Sequence, residues 1–122
     1  MAYLIKFKTH SDERGHLTVV EKEIPFDIKR VYYIYRVSTE SVRGQHRHYK
    51  TAHALMCLKG SCEIYANNGI TKETFRLDSP DQGLILPPED WHSMYDFSED
   101  AILLVLASEY YDPDEYIAEE YP

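Results

Sequence analysis

Three of the six histidines of the chain lie within eight positions of one another, in the segment RGQHRHYKTAH (43–53). One residue separates His46 from His48, and His53 follows five positions after His48. Side chains alternate along a β-strand, so His46 and His48 would project from the same face and act together. Imidazole titrates near neutral pH and also binds metals, so this face is suited to proton transfer or to metal binding.

Three features indicate that the histidine pair lines a cavity and does not face solvent. Arg43 and Gly44 directly precede the pair, and they supply a fixed cation and a backbone that a ligand can approach. The segment after the pair, HALMCLKG (53–60), is strongly apolar and is predicted to be buried. A further histidine, His92, follows a Pro-Pro corner that could fold it onto the same cavity.

Strand-like runs separated by turn signals would position these residues. The runs are YLIKF (3–7), HLTVVE (16–21), RVYYIYRV (30–37), AHALMCLKG (52–60), SCEIYA (61–66), ITKETFRL (70–77), QGLILPP (82–88) and AILLVLASEY (101–110). Near the C-terminus, Asp112 as N-cap, Pro113 at the first position and Glu115 at the third predict a short helix. We therefore predict one all-β domain over residues 1–122, a barrel or a double-sheet jelly roll with a short C-terminal helix.

Composition narrows the classes of partner. The formal net charge of −8 and the pI of about 5.1 disfavour nucleic acid polymers and anionic membranes, but not a phosphorylated small molecule. The N-terminal residues lack a basic segment followed by a long apolar run, and no apolar run could span a bilayer. Cys57 and Cys62 are expected to be free and buried. A cytoplasmic enzyme or binding protein is expected.

The spacing of glycines and histidines from Gly44 to Gly60 resembles the first motif of the cupins, and PPEDWHSMYD resembles their second motif. The resemblance implies a small double-stranded β-helix, a jelly-roll barrel. In metal-bearing cupins the ligands are two first-motif histidines, a glutamate and the second-motif histidine, and here His53 occupies the glutamate position. Four imidazoles, those of His46, His48, His53 and His92, could hold Zn²⁺, Fe²⁺, Cu²⁺ or Ni²⁺. A metal-dependent cupin enzyme is therefore an alternative.

A closer resemblance covers residues 3–117. The phrases IPFDIKRVYYIY, RGQHRH, CLKGSCEI and LDSPDQGLILPPEDWHSMYDFSEDAILLVLASEYYDPDEYI resemble the sugar-nucleotide 3,4-ketoisomerases, the WxcM-like branch of the cupins. The resemblance implies an isomerase that acts on dTDP-4-dehydro-6-deoxy-α-D-glucose and moves the ketone from C4 to C3. It implies no metal or other cofactor, a homodimer with exchanged N-terminal strands, and a place in making dTDP-3-amino sugars for surface glycans such as the lipopolysaccharide O-antigen. The resemblance favours the galacto configuration at C4 of the product. A non-catalytic sugar-binding cupin is a further alternative.

The chemistry of this isomerisation assigns roles to individual residues. The family motif RGxHxH maps onto Arg43, Gly44, His46 and His48. The reaction removes a proton at C3, forms an enediol-like intermediate and returns a proton to C4. We predict that His48 is the acid/base at carbon and that His46 assists proton transfer at the C3 and C4 oxygens. Developing charge on the enediolate oxygen requires a donor, and Arg43 is the first candidate, with the hydroxyl of Tyr35 second.

Five further residues are predicted to bind substrate. Tyr33 shares a strand face with Tyr35, and His92 belongs to the second motif. Arg14 and Tyr95 are expected near the mouth of the pocket, where they could bear on the configuration at C4. His53 stands where the family usually carries a glutamine, and we expect it to keep a hydrogen-bonding role. The diphosphate also needs cations, and the sequence does not select among Arg14, Lys29, Arg30, Arg36, Lys50 and Arg76.

Overall fold

Twelve β-strands make up almost all the regular structure in the computed structural model, which describes residues 1–122. They are β1 (Tyr3–Lys6), β2 (Lys8–Asp12), β3 (Gly15–Val19), β4 (Arg30–Tyr35), β5 (Arg43–His48), β6 (His53–Lys59), β7 (Cys62–Asn67), β8 (Lys72–Leu77), β9 (Gln82–Leu86), β10 (Trp91–Tyr95), β11 (Ile102–Ala107) and β12 (Tyr116–Ile117). One five-stranded sheet has the order β1-β9-β6-β11-β4, and a second has the order β12-β5-β10-β7-β8. This two-sheet arrangement is the all-β architecture that the strand pattern predicts.

The central strand β6 of the first sheet is buried on both faces over most of its length, which explains its long apolar run. Leu55 and Cys57 of β6 face a core of fourteen buried residues between the two sheets. Ala54 and Met56, on the opposite face of the same strand, belong to a second cluster of six buried residues that includes Phe7. Cys57 and Cys62 are free and buried, as expected.

The predicted C-terminal helix is reduced to a single 3₁₀ turn over Pro113–Glu115. Asp112 does cap the turn, since its carboxylate accepts a hydrogen bond of 3.0 Å from the backbone N–H of Asp114. The chain then enters β12, where Tyr116 pairs with His48 of β5. The backbone groups that would extend a helix therefore bond to the edge of the second sheet. No helix of the chain has the length and the apolar character to cross a bilayer.

The hairpin of β2 and β3 lies outside both sheets. Its strands pair only with each other, and every residue of β2 is exposed. Gly15 has a φ of +126° at the turn, where a β-carbon would be strained. The side chain of Leu17 on β3 is 60% exposed. An isolated two-stranded hairpin is marginally stable in water, so this one has few stabilising contacts within its own chain.

Candidate active site

A cavity of about 410 Å³ opens between β4 of the first sheet and β5 and β10 of the second. Its walls come from three strands and from the C-terminal segment. The lining residues are Arg30, Tyr32, Ile34, Arg43, Gly44, His46, Met94, Tyr111 and Tyr116. Hydrophobic walls with a few polar groups directed inwards are typical of a small-molecule site.

A bulge in β5 sets the direction of the histidine pair. His46 pairs with His92 of β10 and Gly44 pairs with Ser93, so Gln45 is the extra residue. Gly44 and Gln45 both have positive φ, of 82° and 63°. A β-carbon on Gly44 would lie 3.1 Å from the backbone oxygen of His92, so only glycine lets β5 approach β10 this closely. This local geometry turns His46 towards the cavity.

Four histidine rings form one cluster at the rear of the cavity. The ring centroids of His46 and His48 lie 5.0 Å apart, and the same distance separates His46 from His92. The ring of His53 lies 4.7 Å from that of His48. His48, His53 and His92 are each less than 5% exposed, whereas His46 is half-buried and reaches the cavity. A substrate that enters the cavity therefore meets His46 first.

The cluster does not have the geometry of a metal centre. No group of three or more histidine, cysteine, aspartate or glutamate side chains is arranged so that it could hold a metal ion. Two of the rings are hydrogen-bonded to the backbone through Nδ1, and these bonds do not involve Nε2. Nδ1–H of His46 donates to the carbonyl of Gly44 at 2.9 Å, and Nδ1–H of His92 donates to that of Asp90 at 3.3 Å.

Burial keeps the clustered imidazoles neutral. It lowers the pKa of His46, and with the nearby His46 ring it lowers the pKa of His48 to about 4. Burial and the neighbouring rings lower the pKa of His92 to about 3 and that of His53 to about 2. Neutral imidazoles can accept protons near pH 7. Because Nδ1 of His46 is protonated by its bond to Gly44, Nε2 is the atom that can act as the base.

Arginine and tyrosine side chains supply donors beside the histidines. Arg43 and Arg30 both line the cavity, and Arg30 is the only one there of the six cations considered for the diphosphate. The Nε of Arg30 is buried without a hydrogen-bond partner, and its guanidinium lies 5.3 Å from the ring centre of Tyr32. Burial raises the pKa of Tyr32 to about 12, so its hydroxyl keeps its proton and can donate.

Tyr33 and Tyr35 do not reach the cavity of their own chain. Side chains alternate on β4, and Arg30, Tyr32 and Ile34 take the face towards the cavity. Tyr33 and Tyr35 take the opposite face, where they are 63% and 57% exposed and stack at 5.9 Å. The sequence YYIY predicts that alternate side chains of this strand share a face, but it does not show which of the two sets faces the cavity.

Two other candidates also lie away from the cavity. Tyr95 follows Met94 on β10, and strand alternation turns it to the face opposite Met94, which lines the cavity. Arg14 lies at the turn of the detached hairpin, where its guanidinium makes a 2.6 Å ion pair with Asp12. Within one chain, the site therefore contains Arg43 and the four candidate histidines, whereas the candidate tyrosines and Arg14 lie elsewhere.

Several cavity residues were not among the candidates from the sequence. Tyr116 is the most notable, because its ring centroid lies 4.6 Å from that of His46 and 4.7 Å from that of His48. No local pattern could reveal this contact, since the pattern of the tail predicts a helix. For Tyr32, the signal was available in the alternation of β4, but the adjacent tyrosines on the other face competed with it.

Comparison with known proteins extends these observations. The family model described as "FdtA: WxcM-like, C-terminal" matches residues 2–121. A curated protein of Aneurinibacillus thermoaerophilus, named TDP-4-oxo-6-deoxy-alpha-D-glucose-3,4-oxoisomerase, is 47% identical over 116 residues, which are 93% of this chain and 84% of that protein.

Solved structures show the same fold. A mutant of the 3,4-ketoisomerase QdtA from Thermoanaerobacterium thermosaccharolyticum, in complex with TDP-4-keto-6-deoxyglucose, has a TM-score of 0.93 and 46% identity, covering 97% of this chain and 87% of that one. The dTDP-4-dehydrorhamnose 3,5-epimerase of Bacillus anthracis has a TM-score of 0.83 at 16% identity, over 94% of this chain and 76% of that one, a likeness of fold alone. The predicted cupin jelly roll is confirmed. The chain belongs to the WxcM-like family of sugar-nucleotide 3,4-ketoisomerases.

Proposed function

We propose that the protein converts dTDP-4-dehydro-6-deoxy-α-D-glucose to a dTDP-3-dehydro-6-deoxyhexose. The observation that carries this proposal is a pair of neutral imidazoles, His46 and His48, on one strand face at a cavity that also presents Arg43, Arg30 and the protonated hydroxyl of Tyr32. The names of the relatives support the substrate, since one is called an oxoisomerase of this TDP-sugar and another was solved with it bound.

The cavity geometry favours His46 as the acid/base at carbon, in place of the division of roles expected from the sequence. Its Nε2 can take the proton from C3 while a C3–C4 double bond forms and negative charge develops on the C4 oxygen. The imidazolium then returns the proton to C4, and the hydroxyl proton of the C3 oxygen passes to the C4 oxygen. His48, with its ring 5.0 Å behind, exchanges protons with this centre.

The intermediate needs donors that are in place before charge develops. Arg43 and Tyr32 lie on the cavity wall beside His46 and can donate to the enediolate oxygen. Arg30 is suited to the diphosphate because it is a cation on the cavity wall, which the other five cations considered do not line. His53 and His92 close the rear of the site and keep water from the imidazole pair.

We further propose a homodimer in which the β2–β3 hairpins are exchanged. The hairpin pairs with neither five-stranded sheet of its own chain. Strand β4 is an edge strand that is hydrogen-bonded only to β11. Val31, Tyr33 and Tyr35 give β4 an exposed apolar outer face. A hairpin added by a partner would cover this edge and would carry Arg14 towards the neighbouring subunit, where Tyr33, Tyr35 and Tyr95 would also meet the partner.

The proposed reaction lies between the formation of a 4-keto sugar nucleotide and the amination of the new ketone at C3, in dTDP-3-amino-sugar biosynthesis. We propose that the product has the galacto configuration at C4. A cytoplasmic location is supported by the nucleotide-linked substrate and by the two free cysteines. The proposed function needs no cofactor.

Incubation of the purified protein with dTDP-4-dehydro-6-deoxyglucose tests the proposal, with ¹H NMR to identify the product and its C4 configuration. A 3-keto isomer is expected, at the same rate after treatment with a chelator. Binding of the sugar nucleotide without isomerisation would favour a binding module. If a chelator removes a stoichiometric metal and abolishes activity, and if activity returns when the metal is restored, the metal-dependent alternative would be favoured. Light scattering should give the mass of a dimer, and a monomer would refute the hairpin exchange.

A further inference from the structure

The C-terminal segment carries a buried carboxylate, that of Glu115, which has no part in the proposed proton transfers. Glu115 is 6% exposed and lies at the end of the 3₁₀ turn. Its Oε1 accepts hydrogen bonds from the backbone N–H of Thr51 at 2.8 Å and from the hydroxyl of Thr51 at 2.5 Å. The backbone N–H of Lys50 reaches both carboxylate oxygens, at 3.1 and 3.2 Å. These donors fix the carboxylate in one orientation.

The same carboxylate faces His48. Oε1 of Glu115 lies 3.9 Å from Nδ1 of His48, and both side chains are almost completely buried. Neither ring nitrogen of His48 has a hydrogen-bond partner in the protein. A shift of about 1 Å would bring Nδ1–H within ordinary hydrogen-bond distance of Oε1. No other carboxylate lies within 4.0 Å of His48.

The other charged and titratable groups around His48 come from every element packed against it. They are His46 on the same strand, His53 on β6, His92 on β10, Arg30 on β4 and Tyr116 in the tail. The histidines are neutral and Arg30 is a cation, so Glu115 is the one anion of the set. Burial alone would raise the pKa of Glu115, but hydrogen bonds from Thr51 and Lys50 outweigh it and hold this pKa below its ordinary value.

We infer that Glu115 is a positioning residue for His48: its carboxylate holds Nδ1–H and leaves Nε2 free for proton exchange within the histidine cluster behind His46. The inference rests on the proposed function, because His48 acts there as the second proton-transfer group. A fixed carboxylate behind the ring also stabilises the imidazolium that forms transiently when His48 takes a proton.

Glu115→Gln tests the role of the charge. The amide oxygen can still accept from Thr51, so the fold should be retained. We expect kcat to fall at least tenfold with KM within twofold of wild type, and Glu115→Asp to recover part of the loss. Without the carboxylate, which raises the pKa of His48, the acidic limb of the kcat/KM profile should move to lower pH. Glu120→Gln is the matched control, since Glu120 accepts from Tyr65 and Asn67 away from the cavity.

The tautomer of His48 provides a readout that does not depend on activity. In ¹⁵N NMR of the wild-type protein, with His48→Asn used for assignment, the Nδ1–H tautomer is expected. An Nε2–H tautomer, or a kcat for Glu115→Gln within twofold of that of Glu120→Gln, would overturn the inference. If the wild-type protein fails to isomerise the sugar, the proposed function is refuted, whereas the tautomer still tests the contact between Glu115 and His48.

Discussion

Replacing Gly44 by alanine should damage the site through the backbone alone. The residue has a φ of +82°, and an alanine in this left-handed region costs roughly 1–2 kcal/mol. Its β-carbon would also lie 3.1 Å from the backbone oxygen and 3.3 Å from Cδ2 of His92. Both strands of the bulge must therefore separate by a few tenths of an ångström, which moves His46 relative to His92. We expect a stability loss of about 2 kcal/mol and a fall in kcat of about tenfold.

Gly15→Ala separates backbone strain from the contact with His92. Gly15 also has a positive φ, but a β-carbon there meets no atom within 4 Å. Both substitutions should lower the urea midpoint through backbone strain, and kinetic assays should show reduced kcat only for Gly44→Ala. If Gly44→Ala unfolds at the wild-type urea concentration and keeps full kcat, the bulge does not position His46.

Three further predictions concern the cavity. Tyr32→Phe should lower kcat about 100-fold if its hydroxyl donates to the enediolate; Tyr32→Phe with wild-type kcat would remove that donor from the mechanism. Arg30→Gln should raise KM for the sugar nucleotide more than Arg76→Gln does, because Arg76 lies outside the cavity and pairs with Glu63; equal effects would argue against a diphosphate contact. Acid should destabilise the fold: the pKa of His48 in the folded state, about 4, lies below its unfolded value near 6.5. The unfolded chain therefore binds more protons than the folded chain. As pH drops from 6.5 towards 4, this group should lower the free energy of unfolding by up to about 1.4 kcal/mol per pH unit. An unfolding midpoint in urea that stays constant over this range would contradict the buried neutral state of His48.

Alternation and motif spacing were sufficient to place part of the site. They put His46 and His48 on one face and identified Arg43 beside them, because these residues are neighbours on one strand. His92 was identified because it follows a Pro-Pro corner and lies in the segment that resembles the second cupin motif. Local pattern does not set the phase of a strand whose two faces are both apolar, so Tyr32 was passed over for Tyr33 and Tyr35.

Contacts made by the tail could not be read from local sequence. Asp112, Pro113 and Glu115 do satisfy the start of a helix, and the structure keeps that start. The path of the chain after this turn is decided by partners more than 60 residues away: Thr51 binds the carboxylate of Glu115, and β5 pairs with Tyr116. Long-range hydrogen bonds thus outweigh helix propensity at this point, and they bring Glu115 and Tyr116 to the histidine cluster.

Isomerisation in D₂O by wild-type protein, His46→Asn and His48→Asn tests the role of the histidine pair most directly. We predict that wild-type protein forms the 3-keto isomer with deuterium at C4, or with the C3 hydrogen transferred there, and that His46→Asn does neither. We further predict that His48→Asn loses turnover while its urea unfolding shows that the fold is retained. A His46→Asn protein that still exchanges the C3 proton and forms the isomer would contradict the assignment of the histidine pair to proton transfer.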